Sequence, residues 1–189
     1  MSSHHIVREK QEPALLLLGL DGFGHEQLGQ LLEWSPTVIA TGQTAETLNS
    51  MGIKIDWIIT DNPVEPAQSD VKEILAGHGA EIESALAFLI VNSYPAVNII
   101  ADNFELKHYE PYVDKINMVI FNDRKKIYAI NSGFSKWKSS GELIQILNGA
   151  ADVQFTGLEI TDGQLHKTTN DGFFSLHFNR PFLFIAEEL

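Results

Sequence analysis

The 189-residue chain contains no cysteine. That excludes a disulfide framework, a thiolate nucleophile, an iron–sulfur cluster and cysteine-ligated zinc. Positive charge is scarce: 13 Lys and Arg face 25 Asp and Glu, for a formal net charge of −12. A surface field of that sign repels phosphate backbones and acidic bilayers, so neither nucleic acid nor a membrane is an expected partner. Long apolar runs are missing too. A run such as Ala14 to Leu18 falls far short of the roughly 20 residues that cross a bilayer. Glu9, Glu12 and Pro13 precede that run and Gly19-Leu20-Asp21-Gly22 follows it, unlike the basic start and small-residue cleavage site of a secretory leader. The expectation is a cytoplasmic protein. No Gly-Lys-Ser/Thr tripeptide, internal repeat or low-complexity tract occurs.

What is present is enough apolar residue for a packed core, 44% of the chain. Up to about residue 115, short apolar runs (14–18, 37–40, 56–60, 97–101) alternate with segments of helical period (25–32, 45–51, 81–91). That alternation predicts an open, largely parallel α/β sheet. The segment 81–91 is the strongest helix, with Ile82, Ala85, Leu86 and Leu89 on one stripe. From about residue 117, short β-rich runs (118–121, 126–130, 143–147, 153–155, 173–178, 182–185) are separated by turn residues: Asn122-Asp123, Asn148-Gly149, Asp162-Gly163 and Asn170-Asp171-Gly172. This spacing predicts a small β-sandwich. The expected organisation is α/β plus all-β, an α/β domain over 1–115 and a β-sandwich over 116–189, with no Gly/Ser or Pro-rich linker between.

Several residues have candidate chemistry. Gly19 to Gly24, including Gly22, follows the first strand and precedes a helix, the place where backbone N–H groups hold phosphate. It matches neither G-x-G-x-x-G nor a P-loop, and a plain tight turn is the preferred reading. Asp61 ends the third strand at the edge where open α/β sheets bind ligands. It is a candidate Mg²⁺ ligand, although Asn62-Pro63 after it also suits a turn or cap. Seven histidines, at 4, 5, 25, 78, 108, 166 and 177, lack the i, i+4 spacing of a zinc helix. In the run Phe173, Phe174, Phe178, Phe182 and Phe184, alternation puts Phe174 and Phe178 on one face and Phe173 on the other. Aromatics on both faces predict cover on both, with an oligomer contact as one source.

The segments Val38-Ile39-Ala40-Thr41-Gly42 and Met51 to Asp61 resemble the catalytic domain of thiamine pyrophosphokinases. There a strand ending in Ala-Asp-Gly-Gly-Ala leads through a helix to a strand ending in Gly-Asp-Phe-Asp-Ser. Thr156-Gly157-Leu158-Glu159 resembles the family's Thr-Gly-Leu segment, and Thr168-Thr169-Asn170-Asp171 its Thr-Ser-Asn-Glu segment. The resemblance spans about residues 14 to 185, and order and spacing carry it rather than any one motif. It implies transfer of pyrophosphate from ATP to thiamine with Mg²⁺, a homodimer, and a thiamine pocket partly built by the sandwich. Carried over residue by residue, it implies Asp61, Glu81, Glu83 and His108 on the catalytic side with Asp61 on the metal. Gly22, Thr41 and Gly42 fall on the nucleotide, and Thr169 and Asn170 on thiamine.

The departures fall where charge matters. Thr41 and Gln43 replace the family's Asp and second Gly, and Pro63 replaces the second Asp of the metal motif. In the Gly-Gly-Arg-x-Asp-His motif, placed on residues 103–108, Glu105 stands for Arg and Lys107 for Asp, and only His108 is kept. Losing a guanidinium on a transferring phosphate while adding a carboxylate raises the barrier by several kcal/mol. The resemblance therefore leaves three readings open: an enzyme with altered ligands, a thiamine- or nucleotide-binding protein with weak or lost activity, and a homodimer that binds no small molecule.

Overall fold

The computed structural model describes residues 12–61, 68–76, 80–149 and 151–189. The fold is a strand-rich α/β arrangement in two compact units, Met1–Met118 and Val119–Leu189.

In the first unit, β1 (Ala14–Leu17) and β2 (Val38–Thr41) are buried at every residue. An unbroken apolar run is what a parallel strand covered on both faces requires. β1 pairs in parallel with β2 and with β5 (Ala96–Ile100). β2 pairs with β3 (Trp57–Thr60), and β3 with β4 (Lys72–Leu75), giving the order β5-β1-β2-β3-β4. Strand β4 has no counterpart among the sequence expectations. Of its four residues, Lys-Glu-Ile-Leu, only Ile74 is buried, and charged residues on an edge strand blunt unwanted pairing while erasing the apolar signal. Helix α1 covers His25–Leu32 and α3 Glu81–Val91, the latter burying Ile82, Ala85, Leu86 and Leu89. Helix α2 (Gly42–Ser50) starts earlier than its apolar period because the Thr41 hydroxyl caps it, accepting the Thr44 N–H at 3.2 Å.

The order of strands matters more than their number. From β1 the chain steps outward through β2, β3 and β4, then returns to place β5 on the other side of β1. The sheet's switch point lies between β1 and β5, and ligands of open α/β sheets bind at the carboxyl ends of the strands flanking such a point.

In the second unit all pairing is antiparallel. Six strands run in the order β11 (Leu158–Asp162), β12 (Leu165–Thr168), β9 (Leu143–Ile146), β14 (Leu183–Glu188), β7 (Lys125–Ile130) and β6 (Asn117–Asn122). Three more run β10 (Gln154–Thr156), β13 (Gly172–His177) and β8 (Phe134–Lys138). Phe174, Leu176 and Phe178 bury against Ile130, Ile144, Ile146, Leu158, Leu183 and Ile185, so the two sheets share one apolar core. The β6–β7 turn at Asp123 and Arg124 has φ of 45° and 60°, the positive pair of a type I′ hairpin. The turn expected at 170–172 is not a hairpin. β12 pairs with β9 and β11, and β13 with β8 and β10, so residues 169–171 carry the chain from one sheet to the other. Phe173 does face away from Phe174, but with its cross-strand neighbour Trp137 it is exposed within the chain, at 71% and 54%.

β8 escaped notice because its inward positions are charged. Lys136 and Lys138 point inward with Phe134 and meet Glu187 of β14, which is 4% exposed. Lys136 Nζ donates to both Glu187 oxygens at 2.7 Å, Lys138 Nζ lies 2.9 Å from Oε2, and the Tyr128 hydroxyl donates to Oε1. Burial pushes the Glu187 carboxyl up, but the hydrogen bonds from Lys136, Tyr128 and Lys138 outweigh it and hold the group below the usual glutamate range. Glu187→Ala, which leaves two ammonium groups facing the core, should cost about 3 kcal/mol; both lysines keep some solvent, so the low end of the buried-pair range applies. A group with a depressed folded pKa stabilises above its unfolded value and loses that contribution as pH falls through the folded one. Melting temperatures of Glu187→Gln should therefore fall less than wild type between neutral pH and about pH 3. Parallel curves would contradict the role given to this cluster.

Candidate functional site

The parallel sheet of the first unit presents two polar neighbourhoods at its carboxyl edge. The first lies at the switch point. After β1 the chain turns through Gly19 to Gly24, with Gly22 at φ 74°, and after β5 it runs through Ala101 to Asp102. Asp102 Oδ1 accepts the Asp21 N–H at 2.8 Å, and the Leu20 N–H also bonds its carboxylate. Partial desolvation raises the Asp102 pKa; the Asp21 N–H opposes this, the Asp21 charge adds to it, and the Leu20 N–H opposes it again. A cleft of about 170 Å³ opens here, lined among others by Asp21, His25, Gln43, Thr44, Thr47 and Asp102. Thr41 is buried and occupied as the α2 cap, its hydroxyl 2.8 Å from that of Thr44, while Gly42 is exposed at the first position of the helix.

The second neighbourhood joins the end of β3 to the start of α3. Asp61 is exposed just past β3, and Glu81 and Glu83 occupy the first turn of α3, where carboxylates are favoured by the helix dipole. Glu81 is held above the usual glutamate range by partial desolvation and then by the charge of Asp61. Glu83 Oε1 lies 3.2 Å from His108 Nδ1. Glu105 and Lys107 form an exposed ion pair at 2.5 Å, and Lys107 holds the Glu105 carboxyl low. Asp61, Glu81, Glu83 and His108 thus come within interaction range as two coupled pairs. Among the described residues no group of three or more His, Asp or Glu converges as a metal site. Pro63 lies outside the described residues, as do His4, His5, Asn62, Pro66 and His78.

Thr169 and Asn170 sit in the exposed crossover of the second unit. The Asn170 amide donates to Thr169 Oγ1 at 3.2 Å, Thr169 O accepts from the Ser140 hydroxyl at 3.2 Å, and Asp171 accepts the Ser140 N–H at 2.8 Å. Of the other histidines, His166 is buried, its Nδ1–H donating to Gln164 O at 3.1 Å; burial lowers its pKa and that carbonyl opposes the shift. His177 is exposed.

No family model matches the chain, and no curated protein matches it in sequence. Solved structures do. Thiamin pyrophosphokinase from yeast superposes with a TM-score of 0.70 at 9% identity, over 96% of this chain and 87% of that one. Thiamine pyrophosphokinase from Bacillus subtilis gives 0.62 at 13%, over 94% and 99%. Thiamin pyrophosphokinase from Candida albicans gives 0.64 at 10%, over 93% and 90%. The chain has the thiamine pyrophosphokinase fold. At these identities the likeness is one of fold, and it covers both halves of the thiamine pyrophosphokinase chains.

Sequence reasoning missed Asp102, which no motif placement had picked out. The available signal was positional: like Asp21 and Asp61, Asp102 follows closely on a buried strand of the parallel sheet, at its carboxyl end. A direct check concerns the Asp61–Glu81 pair. In Asp61→Asn, a carbon-13 titration should show the Glu81 pKa falling yet staying above the ordinary range, because desolvation, the larger cause, remains. An unchanged Glu81 would separate the two carboxylates.

Proposed function

We propose that this is a thiamine pyrophosphokinase-like protein whose transfer reaction, ATP plus thiamine to AMP plus thiamine diphosphate, is weak or lost. The observation that carries this reading is the sign of charge at the carboxyl edge of the parallel sheet. Asp21, Asp61, Glu81, Glu83, Asp102 and Glu105 lie at that edge, and with the family motif placed on residues 103–108 its cationic position falls on Glu105, which is salt-bridged to Lys107. Phosphoryl transfer depends on cations at the transferring group, and losing one arginine costs on the order of a thousandfold or more in rate. ATP and Mg²⁺ belong to the proposal only as the family's co-reactants, with Asp61 as the first metal ligand.

A second reading, a non-catalytic thiamine- or nucleotide-binding homodimer, is supported by how tightly the Thr-Gly-Leu segment is built. Gly157 has φ 72°, and a Cβ there would lie 2.8 Å from Phe173 O and 3.1 Å from Phe174 Cα; Thr168 is buried and hydrogen-bonded to Ser139 O at 2.6 Å. In this reading the second unit is a thiamine-binding β-sandwich, with Thr169 and Asn170 offering a hydroxyl and an amide to an aminopyrimidine, in a cytoplasmic dimer of this chain.

Purified protein given ATP, thiamine and Mg²⁺ or Mn²⁺ should form AMP and thiamine diphosphate at least about a thousandfold more slowly than one turnover per second. Turnover near one per second that vanishes in Asp61→Ala would establish an active enzyme instead. In a thermal-shift panel, thiamine should raise the melting temperature of wild type and not of Asn170→Ala. Equal shifts in both would remove Asn170 from the site.

A further inference from the structure

The turn after β1 has the strand-to-helix placement at which backbone N–H groups can hold a phosphate, yet a carboxylate of the chain itself is already there. Asp102 reaches across from the end of β5 and takes the N–H groups of Leu20 and Asp21. Gly19 shows that this approach is built in. A Cβ on Gly19 would fall 2.0 Å from Asp102 Oδ2 and 2.3 Å from its Cγ, while the Gly19 backbone lies outside the left-handed region. Glycine at 19 is therefore demanded by the space Asp102 occupies and not by its own φ.

We infer that Asp102 is an internal anion that fills the phosphate-binding position at the β1–β5 switch point and so sets the ligand class of this cleft, excluding phosphates and admitting uncharged or cationic groups. A free phosphate would have to displace a tethered acceptor that is already in place. It would also meet the charges of Asp21 and Asp102 together, both in the lining of a cleft of only about 170 Å³. Like charges in so narrow a cleft repel one another, and both carboxylates are exposed to its mouth. The remaining polar side chains of the lining are the Thr44 and Thr47 hydroxyls, the Gln43 amide and the His25 imidazole, with no Lys or Arg among them. The inference goes beyond the proposed function, since it concerns neither thiamine nor turnover and uses none of Asp61, Glu81, Glu83 or His108.

Two substitutions remove the internal anion by different routes. Asp102→Ala deletes the carboxylate, and Gly19→Ala expels it sterically while leaving its charge in the chain. Titration with inorganic pyrophosphate, without metal or thiamine, should show Asp102→Ala binding at least tenfold more tightly than wild type. Nitrogen-15 spectra should show the Leu20 and Asp21 amides moving on pyrophosphate addition in that variant and staying still in wild type. Gly19→Ala should shift the same two amides before any ligand is added, because their acceptor has gone. The inference is overturned if wild type binds pyrophosphate as tightly as Asp102→Ala, or if folded Asp102→Ala leaves both amides unmoved. Should Asp102→Ala fail to fold, Gly19→Ala decides: unshifted Leu20 and Asp21 amides would mean that Asp102 does not hold them.

Discussion

A strand buried on both faces has no place for a polar side chain except at its ends. β1, β2 and the inner residues of β3 are in that position, and most of the chemistry of the first unit follows from it. Polar groups are driven to the carboxyl edge, where loops end one strand and begin the next helix. Thr41, the one polar residue of β1 and β2, is buried only because it closes a helix cap. The same constraint makes the edge crowded. Asp21, Asp61 and Asp102 leave their strands at nearby levels, and each must find N–H donors, water or a neighbouring charge to offset its own.

The second unit meets the problem of buried charge differently. Its strands bury one face against a shared core, and the inward alternation of β8 brings Lys136 and Lys138 into contact with Glu187. Burial and pairing act against each other on Glu187 and Lys138. Desolvation drives Glu187 up and Lys138 down, while mutual hydrogen bonding drives Glu187 down and Lys138 up, and for both residues pairing wins. Tyr128 differs: burial raises its hydroxyl pKa, and the bond to the Glu187 carboxylate raises it further. The cluster joins the two sheets at a point where their apolar core gives way to polar side chains.

A fold shared at 9 to 13% identity with thiamine pyrophosphokinases means that what persists is the pattern of burial. Core positions ask for apolar volume and tolerate exchange, whereas edge residues answer only to the ligand they serve. Asp102 and Glu105 follow β5 at the carboxyl edge of the parallel sheet, outside the apolar core.

Sequence alone determined the elements whose signal is local. The apolar run of β1, the stripe of α3 and the Asn122-Asp123 turn follow from residue types a few positions apart, and the family resemblance drew on the same order of elements. The charged strands β4 and β8 were invisible, because Lys and Glu carry no apolar period even where their stems and charges are held by neighbours. The assignment of residues 169–171 to a crossover between sheets needed the pairing of four other strands. Asp102 bonds a backbone group 81 positions away, and Lys136 meets Glu187 across 51. Such contacts depend on where two strand ends arrive in space, and only the tertiary structure decides that.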